Sequence, residues 1–266
     1  MDRRSASEPS LTEAHRLGRR QYAAVADRYA TSASHASGED LVWLQARAKA
    51  LPASMALDVA CGGGFSTRAL VAAGHRVTGT DLTPESVVAA RGATPPGAAR
   101  WAVGAAERLP FSPATFGVVA CRIAAHHFGD IAAFVAEVRR VLAPHGVFLL
   151  IDTVVPLDAG VADWINRVER MRDPSHVRAL SVSSWARLAR DAGLEIDEER
   201  TVRKRHEVEP WLRRSGCVGE AAQAVRSHLD EAPDGVRAEW QLETDARGCH
   251  HSFTDTKLCL RASRPG

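Results

Sequence analysis

Three glycines behind an aspartate mark the first place in this 266-residue sequence where chemistry could be done. The run Leu57-Asp58-Val59-Ala60-Cys61-Gly62-Gly63-Gly64-Phe65-Ser66-Thr67 reads as a buried strand, a glycine turn and the start of a helix. Glycines let backbone approach a ligand closely, and a helix start offers unpaired N–H groups and a positive dipole end. That geometry suits a nucleotide-like cofactor at the carboxyl ends of parallel strands. The dinucleotide pattern G-x-G-x-x-G fits badly, because Thr67 stands at its third glycine. Asp58 would repel a pyrophosphate but could hold an ammonium group. The next strand ends at Asp81-Leu82, with Asp81 lying 23 residues after Asp58. An acid at that strand tip commonly accepts ribose hydroxyls, and Leu82 could pack against an adenine. The plain alternatives are a tight turn without ligand, and Asp81 as a cap for the helix opened by Thr83-Pro84.

A second group follows the fourth strand, at Ala124-Ala125-His126-His127-Phe128. One imidazole there could take a proton from an acceptor while the other orients its partner. Either could equally be packed or cap the next helix. Cys249-His250-His251 joined to His126-His127 would be a conceivable metal site, but nothing fixes the spacing, and no metal is expected. Trp164, Trp185, Trp211 and Trp240 could line an apolar pocket or simply fill the core. The basic run Arg203-Lys204-Arg205-His206, flanked by glutamates, reads as a solvated strand edge.

The elements that must hold these groups are legible as alternating apolar runs. Helices are expected at 11–29 and 39–50, around a polar break at 32–38. Then come strands at 56–60, 76–80, 100–103, 116–122 and 147–153, separated by helices at 66–73, 84–91 and 131–142. Near-continuous apolar strands between short helices indicate a parallel sheet covered on both faces. Beyond it, helices are expected at 158–179, 183–191, 210–229 and 235–242, and strands at 194–206 and 252–262. The fold class is therefore α/β, as one domain with an inserted helical lid. Charge is balanced, with 34 basic and 32 acidic side chains, which argues against nucleic acid. No uncharged apolar run nears the ~20 residues of a bilayer span, and no secretory signal is visible. Five cysteines at scattered spacings support no disulfide framework. A cytoplasmic protein is expected.

Taken together, Leu57–Gly64, Asp81 and Gly104-Ala105-Ala106-Glu107-Arg108-Leu109-Pro110-Phe111 resemble the class I S-adenosylmethionine-dependent methyltransferases. The segments Phe116–Phe128 and Phe134–Gly146 are similar to the ubiquinone/menaquinone biosynthesis branch. The resemblance implies a Rossmann-like, seven-stranded, mostly parallel sheet with an antiparallel last strand, and S-adenosylmethionine as cofactor. It implies that Asp58 and the turn from Ala60 through Gly62 to Gly64 handle the methionine part, and Asp81 and Leu82 the adenosine. Ala106 and Glu107 would lie near the adenine, the Arg122 region near the methionine amine, and Tyr29 would close the cofactor over. Asn166–Arg178 resembles the branch's lid, so Arg167, Arg172 and His176 could clamp a carboxylate, phenolate or phosphate on the acceptor. Alternatively Asp173 caps a helix begun by Pro174, and the arginines pair along solvated faces. Ala105 departs from the usual acid of G-D-A-E, and His145 from the usual glycine of P-G-G.

This reading divides the chain into a helical cap (1–50), a cofactor-binding core (51–156), a lid (157–182) and a completion of the sheet with a helical insertion near 209–242 (183–266). The expected activity is methyl transfer to a small ring-bearing metabolite by a monomer or homodimer. Two alternatives stay open: cyclisation or rearrangement promoted by the bound sulfonium, and cofactor binding without turnover.

Overall fold

The computed structural model describes residues 11–246 and 250–266. One sheet organises it, in the order β3-β2-β1-β4-β5-β8-β6. The strands are β1 (Met55–Val59), β2 (Arg76–Asp81), β3 (Ala99–Val103), β4 (Phe116–Arg122), β5 (Leu142–Val154), β6 (Glu195–Glu207) and β8 (His250–Ser263). A short β7 (Glu243–Thr244) pairs with β8. Strands β1 to β5 pair in parallel, whereas β8 enters antiparallel between β5 and β6. The expected Rossmann-like sheet with its antiparallel last strand is the fold observed.

Alternation along the strands builds two cores. Leu57, Val59, Val119, Cys121, Phe148 and Leu150 face α6 (Ile131–Val141) and α8 (Val182–Asp191). Ala56, Val118, Ala120, Leu149 and Ile151 face α3 (Glu39–Lys49) and α4 (Phe65–Ala72). Both faces of the central strands are thus buried, which is why they read as unbroken apolar runs. Helix α1 (Leu11–Ala30) packs on α5 (Pro84–Gly92), and a single turn, α2 (Ala33–Ala36), occupies the expected polar break. No helix among the described residues is long and apolar enough to cross a membrane.

Two helices differ from expectation. The one expected over 158–179 stops early, as α7 (Ala159–Arg172). Pro174 disfavours helical geometry at Asp173, which turns extended (φ −134°, ψ 102°). No helix starts at Pro174, so Asp173 caps none there. The helix expected over 210–229 is two, α9 (Val208–Arg214) and α10 (Gly219–Asp230), parted by Gly216 and Gly219 at positive φ. These pack with α7 and α11 (Asp234–Trp240) around Trp211, Trp240 and Phe253. Trp164, Trp185 and Trp240 serve the cores, whereas Trp211 both packs in a core and lines a cavity.

Candidate active site

Four parallel strands deliver their carboxyl ends to one cleft. It lies over β1 and β4, where the strand order reverses, the usual ligand position in such sheets. The cleft encloses about 1010 Å³ of empty space, solvent at its mouth included. That is the upper end of the roughly 300–1,000 Å³ common for small-molecule sites. Helix α1 roofs it with Ala14, His15, Gly18, Tyr22 and Tyr29.

The glycine turn forms the floor. Gly62 needs glycine for its φ of +48°, and its N–H donates to Asp81 Oδ2 at 3.0 Å. The other oxygen of Asp81 accepts the Thr83 N–H at 3.0 Å. Asp81 thus ties the turn to the tip of β2 and lines the cleft. Burial raises its carboxyl above the ordinary value, against the pull of the Thr83 and Gly62 N–H bonds. Gly63 needs glycine for space, because a Cβ there would stand 2.6 Å from Ala30 Cα and 2.8 Å from the Tyr29 carbonyl oxygen. Gly63→Ala should push the end of α1 off the turn. A stability loss of about 1–3 kcal/mol is expected by urea denaturation.

Of the residues singled out in the sequence, Tyr29, Ala60, Gly62, Asp81, Leu82, Ala106, Glu107, Arg122 and His127 line this cleft. Asp58 and Gly64 stand behind it. Asp58 is 1% exposed and accepts the Thr67 hydroxyl at 2.6 Å. Burial, with the Asp81 charge adding to it and the Thr67 hydroxyl opposing it, pushes its carboxyl up to about 7. Gly64 is the N-cap of α4. Both therefore shape the turn and do not contact the cleft. Glu107 bonds to His15 (3.0 Å) and to the Gly129 N–H (3.0 Å). The guanidinium of Arg122 is committed to Asp40 (2.6 Å) and the His35 carbonyl (3.0 Å).

A second cavity, of about 550 Å³, opens beside the first. Tyr22, Tyr29, His35, Ile123 and His127 line both. Ile123 holds a φ of +54°, strained for a β-branched residue, at the point where β4 ends over this junction. Arg172 and His176 reach the second cavity, but Arg167 does not. The helical period sends Ile165, Val168, Glu169 and Arg172 inward and leaves Arg167 exposed.

The two histidines have separate supports. His126 Nδ1 lies 2.6 Å from Asp152 Oδ1, a buried carboxylate that can only accept. Nδ1 therefore carries a proton. His127 bonds through Nδ1 to Ser175 Oγ (3.1 Å) and through Nε2 to the Tyr22 hydroxyl (2.6 Å). Ser175 gives its hydrogen to Asp173 Oδ1 at 2.6 Å, so it must accept from Nδ1, and Tyr22 donates to Nε2. Burial first, then the neighbouring His126, pull the His127 imidazole down to about 4, so it is neutral near pH 7. Tyr22 and Asp152 had no sequence signal of their own. The Cys249 end of the conceivable metal cluster lies outside the described residues, and no group of metal-binding side chains is found among the described ones.

A strand, glycine turn and helix, a carboxylate at the second strand tip and this sheet order define the class I S-adenosylmethionine-dependent methyltransferases, and the chain belongs to that family. A methyltransferase domain family model matches residues 57–150. The chain is 32% identical over 240 residues to YcgJ, an uncharacterised methyltransferase of Bacillus subtilis, covering 89% of this chain and 93% of that one. It is 37% identical over 121 residues to the 2-methyl-6-phytyl-1,4-hydroquinone methyltransferase of Synechocystis, covering 45% of this chain and 35% of that one. The crystal structure of BH2331 from Bacillus halodurans, described as a methyltransferase, superposes with a TM-score of 0.81 at 31% identity, covering 86% of this chain and all of that one.

Proposed function

We propose that this enzyme transfers the methyl group of S-adenosylmethionine to a small organic acceptor bound in the second cavity. The observation that carries the reading is the shared wall: the cofactor cleft and a separate polar chamber meet at Tyr22, Ile123 and His127. The cleft residues fit the cofactor. Each Asp81 oxygen takes one backbone N–H and keeps a lone pair for a ribose hydroxyl, and Leu82 and Ala106 offer apolar surface to a base. The sulfonium supplies an activated methyl carbon. In-line attack needs the acceptor atom roughly 3–3.5 Å from it, so positioning is the main task of the protein.

His126 serves as the base. Asp152 orients it, and its ring lines the acceptor chamber, where it takes the proton displaced on methylation. His127 and Tyr22 form the positioning pair at the junction, held through Ser175 and Asp173.

The test uses methyl-labelled cofactor with a panel of small ring-bearing hydroxy and amino compounds. Labelled product together with demethylated cofactor is expected. Converted acceptor without label, and no demethylated cofactor, would refute the reading. Asp81→Ala should weaken binding of S-adenosylhomocysteine by ~1–3 kcal/mol in calorimetry, through lost hydroxyl bonds and a loosened Gly62 turn. Unchanged affinity would place the adenosine elsewhere.

A further inference from the structure

The second cavity holds more positive than negative side chains, and one of its cations has no partner. Its wall carries Arg172, Arg214, Lys204 and Lys257 against Glu169 and Asp255. Both acids are engaged. Arg172 holds Glu169 at 3.0 Å, while Lys257 and His206 hold Asp255 at 2.6 and 3.1 Å. Lys204 lies 3.4 Å from Asp40, an acid that Arg122 already binds at 2.6 Å. Its ammonium is otherwise satisfied by the carbonyls of Ser34 and Ser37. Arg214 forms no hydrogen bond or ion pair among the described residues, and its Nε is buried.

The fold brings these charges together from separate elements. The two-residue period of β6 turns Lys204 and His206 to one side, and that of β8 does the same for Asp255 and Lys257. Helix α7 contributes Arg172, and the short α9 ends with Arg214. Burial, and then the neighbouring Arg172 charge, pull the Arg214 guanidinium below its ordinary value. Burial brings Lys204 down to about 8. Glu169 and Asp255 reach Arg214 only as nearby charges already bonded to other cations, so the guanidinium has no direct partner in the empty wall, and an arriving anion would supply one.

We propose that the acceptor carries an anionic group, a carboxylate or a phosphate, which Arg214 binds with Arg172 and Lys204 beside it. The inference rests on reading this chamber as the acceptor site. The planar fork of arginine matches either oxyanion bidentately, and an uncharged acceptor would leave the excess positive charge in place.

Calorimetric titration of the full chain, saturated with S-adenosylhomocysteine, tests this with benzoate, phenyl phosphate and uncharged benzamide as probes. At least one anion should bind about tenfold or more tighter than benzamide. Arg214→Met should abolish that preference while leaving S-adenosylhomocysteine affinity unchanged, and Arg214→Lys should retain part of it. Without ligand, Arg214→Met should melt no lower than the parent, since it removes a buried repulsion. That outcome separates lost recognition from misfolding. The stronger of the two anions identifies the oxyanion. Benzamide binding as tightly as both anions, no binding of either anion at millimolar concentration, or a preference that survives in Arg214→Met would each overturn the proposal. The labelled-methyl assay distinguishes its failure from failure of the transferase reading. Neutral acceptors methylated without anion preference sink only the anion site. Anions bound through Arg214 with no acceptor methylated leave the site and sink the transfer.

Discussion

His126→Ala should lower kcat by about a hundredfold or more, the range in which a positioned general base works. Affinity for S-adenosylhomocysteine should not change, because His126 does not line the cofactor cleft. The cause is geometric. Asp152 Oδ1 accepts both the His126 Nδ1–H at 2.6 Å and the Thr153 N–H at 2.9 Å, which fixes the imidazole plane and its tautomer. Asp152→Asn can keep that acceptor oxygen but loses the charge behind the imidazolium, so an intermediate loss is expected. Added imidazole should restore part of the His126→Ala rate, since the deleted ring leaves its own volume beside the chamber. A merely structural histidine would instead lower stability without rescue. Stopped-time assays with the acceptor found in the labelling panel, run with and without imidazole, decide between them. Full activity in His126→Ala would remove the base.

The same pair shows where sequence reasoning ends. His126-His127 stood out because a doublet after the fourth strand falls at the edge where sheet meets ligand. Asp152 did not, because it lies in the most apolar strand of the chain and is brought to His126 only by the parallel pairing of β4 with β5. The sheet itself was legible, since its central strands are unbroken apolar runs and the Gly62–Gly64 turn and Asp81 have local signatures. Charges were harder. Arg203-Lys204-Arg205-His206 read as a solvated edge, and half of it is: Arg203 and Arg205 lie outside with Glu239 and Glu243. Lys204 and His206 face the interior, where the alternation of β6 places them, and only the partner strand β8 reveals what they meet. Arg167 and Arg172 looked equivalent in the sequence, but five residues of helix turn one outward and the other into the chamber.

Asp40→Ala should cost about 3–5 kcal/mol of stability, the price of stranding a buried cation. Asp40 and Arg122 have side chains 1% and 3% exposed, and the carboxylate also serves Lys204. The residue lies in the first turn of α3, so it joins the N-terminal helices to the tip of β4 and to β6. Removing it leaves Arg122 only the His35 carbonyl as partner. Urea denaturation should report the loss, with Tm lower by on the order of 10 °C for a chain of this size. The wild-type protein should show the same dependence in its acid limb. Burial alone would raise the Asp40 carboxyl, but Arg122 and Lys204 outweigh it and hold it below the ordinary 3.8. A depressed carboxyl stabilises the fold above its unfolded-state pKa, and that contribution is lost as pH falls through the lower folded-state value. In Asp40→Ala this part of the acid limb should flatten. The double variant Asp40→Ala/Arg122→Met should recover much of the stability, because both charges leave the interior together. A double variant no more stable than Asp40→Ala would mean that the carboxylate acts through α3 and not through the arginine it faces.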